Sequence, residues 1–217
     1  IKRACNINDI IFNEITKDFK FTTERDIEKY ILKRFREFKV KPAYSPIVAN
    51  NYSVIHAVPR NIKLKRGFCV LDFGCRYKGF CSDMTRTIFL GKASRLDKKL
   101  YKLILNCQNK CISKIKIGTL CKDLDLYARK LLGNYKKYFT HSLGHGLGYK
   151  IHMKPKISYK SNEKIKKSSF ITIEPGIYIK SKNKEFGIRI EDTLFINKKI
   201  HILTKSTKSF IEIVGFV

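Results

Sequence analysis

The chain has 217 residues, is 43% hydrophobic and carries 15 Phe and 11 Tyr, a composition that fits one globular domain and excludes a disordered chain. It contains no run of about 18 apolar residues, which excludes a membrane-spanning helix. The formal net charge is +28, but lysine is spread along the whole length. That charge reads first as lysine on solvated faces and second as docking to an acidic partner such as RNA or the ribosome.

In chain order, residues 1–18 predict an amphipathic helix without the apolar core of a signal peptide. The chain begins without Met, so an upstream segment is expected. Residues 24–39 predict a second helix, with Ile27, Ile31, Phe35 and Phe38 on one stripe and Thr22 or Thr23 as N-cap. Residues 47–58 predict an extended segment ending at His56. Residues 68–75 and 79–90 flank the turn Arg76-Tyr77-Lys78-Gly79 and predict a β-hairpin. Two helices follow. The first carries the stripe Leu96, Leu100, Leu103, Ile104, Cys107 and Ile115; the second is capped by Thr119 and stopped by Gly133. The last third predicts strands at about 138–144, 169–179, 186–196 and 209–216. Helices plus an antiparallel sheet make an α+β fold.

The cysteine count is seven, and only Cys107 and Cys111 have zinc-finger spacing, with no second pair to complete a site. Buried free thiols in a reducing compartment follow, which points to the cytosol.

Five residues carry the chemistry: Asp72, Asp83, His145, Glu174 and Glu191. With Tyr77-Lys78 as a two-residue loop, Asp72 and Asp83 would lie directly opposite one another on the hairpin. Facing carboxylates repel unless a cation lies between them; two solvated strand carboxylates are the alternative on this pair alone. His145 lies in Gly144-His145-Gly146-Leu147-Gly148, where glycine permits close backbone approach. A lone histidine is more often structural, but His141, His145 and His152 cluster within twelve residues. Glu174 ends the alternating run Phe170-Ile171-Thr172-Ile173, and Arg189 and Glu191 share the face opposite Ile188 and Ile190. Four carboxylates and one imidazole make a hard, oxygen-rich ligand set. It suits two Mn(II), Co(II), Fe(II) or Zn(II) ions, which bridging carboxylates hold about 3.5–4 Å apart.

The segments SVIHAVP, VLDFGCRYKGFCSDMTRT, THSLGHGLGYKIHMKP, ITIEPGIYI and GIRIEDT resemble the Xaa-Pro aminopeptidase and prolidase branch of the pita-bread metallopeptidases, which also include methionine aminopeptidase and creatinase. The resemblance runs from the first helix to about residue 205. It implies a curved antiparallel sheet covered by helices, with a dinuclear metal site at its centre. It further implies that Asp72 binds one metal, that His145 and Glu174 bind the other, and that Asp83 and Glu191 bridge them. Glu174 would also carry the proton of a metal-activated water. His152 and His56 match substrate histidines with catalytic roles, while His141, Arg189 and Tyr178 match positions around the substrate. The implied reaction is hydrolysis before a proline in second position, by an aminopeptidase or a dipeptidase, with manganese as the first expectation for the metal. Methionine aminopeptidase, a creatinase-like hydrolase and a non-catalytic module binding RNA, ribosomes or histones are the alternatives; intact ligands argue against the last. Residues 1–217 are expected to be the catalytic domain, with the N-terminal creatinase-like domain of this branch absent or removed. A homodimer stays open.

Overall fold

The computed structural model describes residues 1–182 and 184–215. The chain runs through α1 (Lys2–Lys17), α2 (Glu24–Glu37), β1 (Lys41–Pro42), β2 (Ile47–Asn50), β3 (Gly67–Asp72), β4 (Cys75–Tyr77), β5 (Phe80–Cys81) and β6 (Thr85–Leu90). It continues through α3 (Arg95–Lys114), α4 (Cys121–Leu132), a 3-10 turn (Gly133–Tyr138), β7 (Gly144–Gly146), β8 (Met153–Ile157) and β9 (Ser169–Ile173). The last strands are β10 (Gly176–Ser181), β11 (Lys184–Arg189), β12 (Asp192–Ile196), β13 (Ile200–Ile202) and β14 (Glu212–Ile213).

Helix starts follow local chemistry. Thr23 forms a capping box with Asp26, and Ser94 forms one with Asp97, each satisfying orphan N–H groups of the first turn. The expected Thr119 cap is corrected. The N-cap of α4 is Leu120, and the Thr119 hydroxyl instead accepts a bond from the Lys116 N–H at 3.0 Å. Gly133 ends α4 as expected, at φ 54.

Two sheets meet under these helices. One has the order β14-β6-β3-β2 and the other β13-β12-β9-β7-β8. All of the pairings are antiparallel except β14 with β6. A core of Ile7, Ile11, Ile27, Ile31 and Phe35 from α1 and α2 packs on Cys69, Leu71 and Ile88 of the first sheet. A second core joins α3 and α4 to Ile171, Ile173 and Leu194 of the other sheet. The seam is hydrogen-bonded: the Glu191 N–H, just before β12, donates to the Thr85 carbonyl of β6 at 3.0 Å, and the Thr87 hydroxyl donates at 2.8 Å to the Arg189 carbonyl of β11, which pairs with β10 in a separate two-stranded ribbon. Helices plus a mostly antiparallel sheet confirm the α+β class.

Several boundaries differ from expectation. In the 68–90 hairpin the loop is Lys78-Gly79, whose φ values are 48 and 86, the left-handed pair that a two-residue turn requires. Tyr77 therefore pairs with Phe80, and Asp72 pairs with Thr85 rather than Asp83. Residues 169–179 and 186–196 are not continuous strands, because the pairing stops at Glu174-Pro175 and at Ile190-Glu191. The extended segment at 47–58 is a strand only to Asn50, 138–144 begins as a 3-10 turn, and 209–216 contains only β14; Phe216 lies outside the described residues. The strand β8 is not foreseen in the sequence reading, because a short segment with two lysines and a proline holds, apart from Ile157, none of the β-branched and aromatic residues that mark a strand.

All seven cysteines are free and buried, as expected. Among the described residues no helix is long and apolar enough to cross a membrane.

Candidate active site

A cleft of about 910 Å³ opens at the seam between the sheets. Asp72, Asp83, His145, Glu174, Glu191, His56, His141, His152 and Arg189 all line it. Tyr178 stands behind Arg189 and His141, bonded to both. All ten residues singled out from sequence therefore gather at one place.

The acids sit where strands stop. Asp72 ends β3, Asp83 precedes β6, Glu174 follows β9 and Glu191 precedes β12. A strand end frees a side chain from the alternating faces, so four acids from four segments can point inward. The glycines beside His145 are required by packing. A Cβ on Gly144 would run into the Thr172 carbonyl, and one on Gly146 into that of Lys154, so this close approach of β7 to its neighbours needs glycine.

His145 is the most telling member. Its Nδ1 lies 3.0 Å from the Gly146 carbonyl, an acceptor, so Nδ1 carries the proton. Burial pushes its pKa down to about 4, and Nε2 is left as a bare lone pair. That nitrogen lies 3.5 Å from Asp83 Oδ2 and 3.5 Å from Glu174 Oε1. A lone pair facing two carboxylate oxygens is repulsive unless a carboxyl proton or a metal cation lies between them, and a metal cation satisfies all three at once. Ligand atoms of Asp83, His145 and Glu191 all fall within 4.8 Å of one another.

The carboxylates carry the same message. Burial, followed by the charge of neighbouring acids, raises Asp83, Glu174 and Glu191 well above the usual carboxylate range. The Tyr44 hydroxyl lies 2.5 Å from both Asp72 Oδ1 and Asp83 Oδ1, so two carboxylates share one hydroxyl proton. Arg189 is the one cation among the described residues that bonds to these acids, and it is spent on Asp72. Burial alone would favour its neutral form, but Tyr178 and the surrounding acids hold it charged. Four acids against one guanidinium is a charge deficit that divalent cations would fill, and oxygen donors with one imidazole suit such ions. The residues fit the group. They do so unequally: Asp83, His145, Glu174 and Glu191 converge directly, whereas Asp72 joins them through Tyr44 and Arg189.

Around this floor the histidines are arranged in order. His152 stacks edge-on against His145 with ring centroids 4.4 Å apart. His141 gives its Nδ1 proton to the Ser142 carbonyl at 2.8 Å and accepts the Tyr178 hydroxyl on Nε2 at 3.1 Å. Burial lowers His141 to about 3, so it is neutral and acts as a fixed acceptor. Tyr178 in turn accepts from Arg189. His56 is exposed at the cleft edge on the irregular segment after β2.

The sequence profile of metallopeptidase family M24 matches residues 1–198. This chain belongs to metallopeptidase family M24. Within the family it is 36% identical to a Xaa-Pro dipeptidase of Pyrococcus horikoshii over 97% of this chain and 62% of the relative. A crystal structure of prolidase from Thermococcus sibiricus superposes with a TM-score of 0.92 at 32% identity, over 98% of this chain and 59% of that one. An X-Pro aminopeptidase from Thermotoga maritima superposes at 0.91 with 30% identity, over 98% and 62%. The fold is therefore the pita-bread fold of these M24 enzymes. The chain spans about three-fifths of the length of the curated relatives it matches.

Three residues of this M24 cleft escaped the sequence reading. Tyr44 touches both aspartates from the segment before β2, and Thr85 donates to Glu191 Oε2 at 2.8 Å. Thr172 donates to Glu174 Oε1 at 3.3 Å. A hydroxyl residue in an unpatterned segment carries no local signal, which is why Tyr44 was missed. Thr172 was visible only as the polar position preceding Glu174 by two.

Proposed function

We propose that the chain hydrolyses the peptide bond between an N-terminal residue and a proline, with two divalent cations bound by Asp72, Asp83, His145, Glu174 and Glu191. The observation that carries this reading is the convergence of His145 Nε2 on Asp83 Oδ2 and Glu174 Oε1, 3.5 Å from each. The proline preference rests on the likeness to the Pyrococcus Xaa-Pro dipeptidase and the Thermococcus prolidase. When bound, the cations would supply a water acidic enough to ionise near neutral pH and a positive field for the carbonyl oxygen. Manganese is the first choice to test, with cobalt, zinc and iron next.

The chain's own groups do the rest. Glu174 takes a proton from the attacking water and delivers it to the proline nitrogen as the C–N bond breaks. Burial raises this carboxyl well above the usual carboxylate range, and a carboxyl that holds its proton more readily suits that exchange. His152, edge-on against His145, and the exposed His56 close over the carbonyl from two sides. The His141–Tyr178–Arg189 chain fixes the neighbouring wall. Arg189 holds Asp72 in place, so a substitution there would disturb metal and substrate together.

The test is hydrolysis of Ala-Pro, Ala-Pro-Gly and Met-Ala-Ser by metal-stripped protein with Mn(II) or Co(II) restored. Metal-dependent cleavage confined to the bond before proline is expected, and the length preference separates dipeptidase from aminopeptidase. Cleavage of the Met peptide alone would overturn the proline assignment.

A further inference from the structure

The floor of the cleft is acidic, but its mouth is not. Lys150, Lys154 and Lys156 also line it, and all three are exposed. They begin a stretch, residues 150–167, that holds seven lysines and one acid, Glu163. Glu163 Oε1 reaches only Lys154, at 3.8 Å, and that lysine is 91% exposed, so the pair is weak in water. Neither Lys150 nor Lys156 has an ion pair among the described residues.

The lysines are placed rather than scattered. Lys156 pairs with His145 across β7 and β8, and directly paired residues send their side chains to the same side of a sheet. Buried Pro155 and Ile157 flank it. Lys150 follows Tyr149, whose ring stacks on Phe80 with centroids 4.2 Å apart and whose carbonyl accepts from Arg76. The Cys81 N–H also donates to the Gly148 carbonyl at 2.7 Å. The β4–β5 hairpin thus pins the segment that carries the rim.

We propose that Lys150, Lys154 and Lys156 form a carboxylate subsite that selects peptides bearing an acidic group beyond the scissile bond. The inference rests on the hydrolytic reading above, in which the acidic floor takes the amino end of a peptide and the remainder leaves past the mouth. An ammonium is a compact point charge without the fork geometry of arginine, so the rim discriminates charge rather than shape. The carboxylate can belong to the C-terminus of a short peptide or to an Asp or Glu side chain. Because the lysines are solvated, the selection is screened by salt.

Four tripeptides test this on the metal-loaded chain: Ala-Pro-Gly amide, Ala-Pro-Gly free acid, Ala-Pro-Asp amide and Ala-Pro-Lys amide. Their kcat/KM values are measured at low salt and at about 0.5 M salt. Binding of analogues with a CH2 in place of the scissile carbonyl is measured alongside by calorimetry. At low salt an acidic peptide is expected to exceed the neutral amide by about tenfold, as three exposed charge pairs would give, and salt should shrink the ratio. A lead for the free acid assigns the subsite to a C-terminal carboxylate, and a lead for Ala-Pro-Asp amide assigns it to a side chain. The triple variant Lys150→Gln, Lys154→Gln, Lys156→Gln should bring the ratio near one. The corresponding triple change to Glu should turn it toward Ala-Pro-Lys amide. Equal handling of acidic and neutral peptides, or a preference that survives both triple variants, overturns the proposal. If no peptide is cleaved, the hydrolytic reading fails by itself, and the analogue affinities still decide the rim.

Discussion

Glu191 and Asp192 are neighbours in sequence, both almost fully buried, and they have opposite electrostatic fates. Asp192 Oδ1 accepts from Arg86 at 2.8 Å and Thr204 at 2.7 Å, while Oδ2 accepts from Lys208 at 2.8 Å and Gln108 at 3.0 Å. Burial by itself would raise its pKa, but Arg86 and Lys208 hold it below the usual range. Glu191 has one hydroxyl donor, and burial first, then the charge of Asp83, drive its pKa up. Asp192 is a solved problem within the fold: two cations and two neutral donors saturate one carboxylate. Glu191 belongs to a problem the protein leaves open. A buried charge cluster that the fold does not neutralise from its own side chains is the physical mark of a functional site.

The largest expected effect separates chemistry from architecture. Glu174→Gln should lower metal-dependent turnover by about 10²–10⁴-fold, the range for loss of a positioned acid or base, with no loss of stability in the metal-free protein. Unfolding of the metal-free variant at lower urea than the parent would show that Glu174 is structural. The matched pair Glu191→Gln and Asp192→Asn comes next. Removing the charge of Asp192 strands Arg86, which is 1% exposed, and should cost about 3–5 kcal/mol. Glu191→Gln keeps an acceptor for Thr85 and relieves repulsion, so the metal-free protein should not lose stability while its metal affinity falls. Urea midpoints of both variants, with and without Mn(II), check the contrast; equal losses would erase it.

The contrast also shows what a sequence reveals. The acids of the open cluster stand in short segments with glycine, proline or alternating isoleucine around them, so each was legible locally, and together they resembled one family. The saturated cluster was invisible. Arg86 and Asp192 lie 106 residues apart, and nothing in Met84-Thr85-Arg86-Thr87 announces an ion-pair partner. Helices were read well because stripes such as Ile27, Ile31 and Phe35 repeat every turn. Strands were overextended because runs of β-branched residues continue through Glu174-Pro175 and Ile190-Glu191, where the chain leaves the sheet to aim its acids inward. Asp72 and Asp83 do converge, but not by the expected register, since the positive-φ turn falls at Lys78-Gly79 and Asp72 pairs with Thr85. Both aspartates meet at Tyr44 instead of across a ladder.

The two clusters should pull stability in opposite directions with pH. For Asp83, Glu174 and Glu191 the folded pKa lies above the unfolded one. Their favourable contribution is present below the ordinary carboxylate range and is lost as pH rises through their folded pKa values. Asp192, lowered in the fold, contributes above that range and loses its contribution as pH falls through its folded pKa. Without metal, the triple variant Asp83→Asn, Glu174→Gln, Glu191→Gln should therefore gain steadily on the parent as pH rises above the ordinary carboxylate range, read as a widening gap in urea midpoint. Saturating Mn(II) should close the gap by stabilising only the parent. A pH-independent difference would mean that the acids are not strained by one another.

The smallest effect asks how much compensation Asp192 needs. Lys208 is 19% exposed and also bonds to Gln108 Oε1 at 2.9 Å, so it contributes from the edge of the cluster. In Lys208→Met, Asp192 keeps Arg86, Thr204 and Gln108, and no buried cation is stranded. The cost should be about 1 kcal/mol, near the value of a partly solvated ion pair, against the several lost in Asp192→Asn. A cycle combining Lys208→Met with Asp192→Asn isolates the pair. If Lys208→Met costs as much as Asp192→Asn, the fold tolerates no deficit even at its margin. The deficit in the cleft, four acids against Arg189, would then be possible only with its cations bound throughout folding.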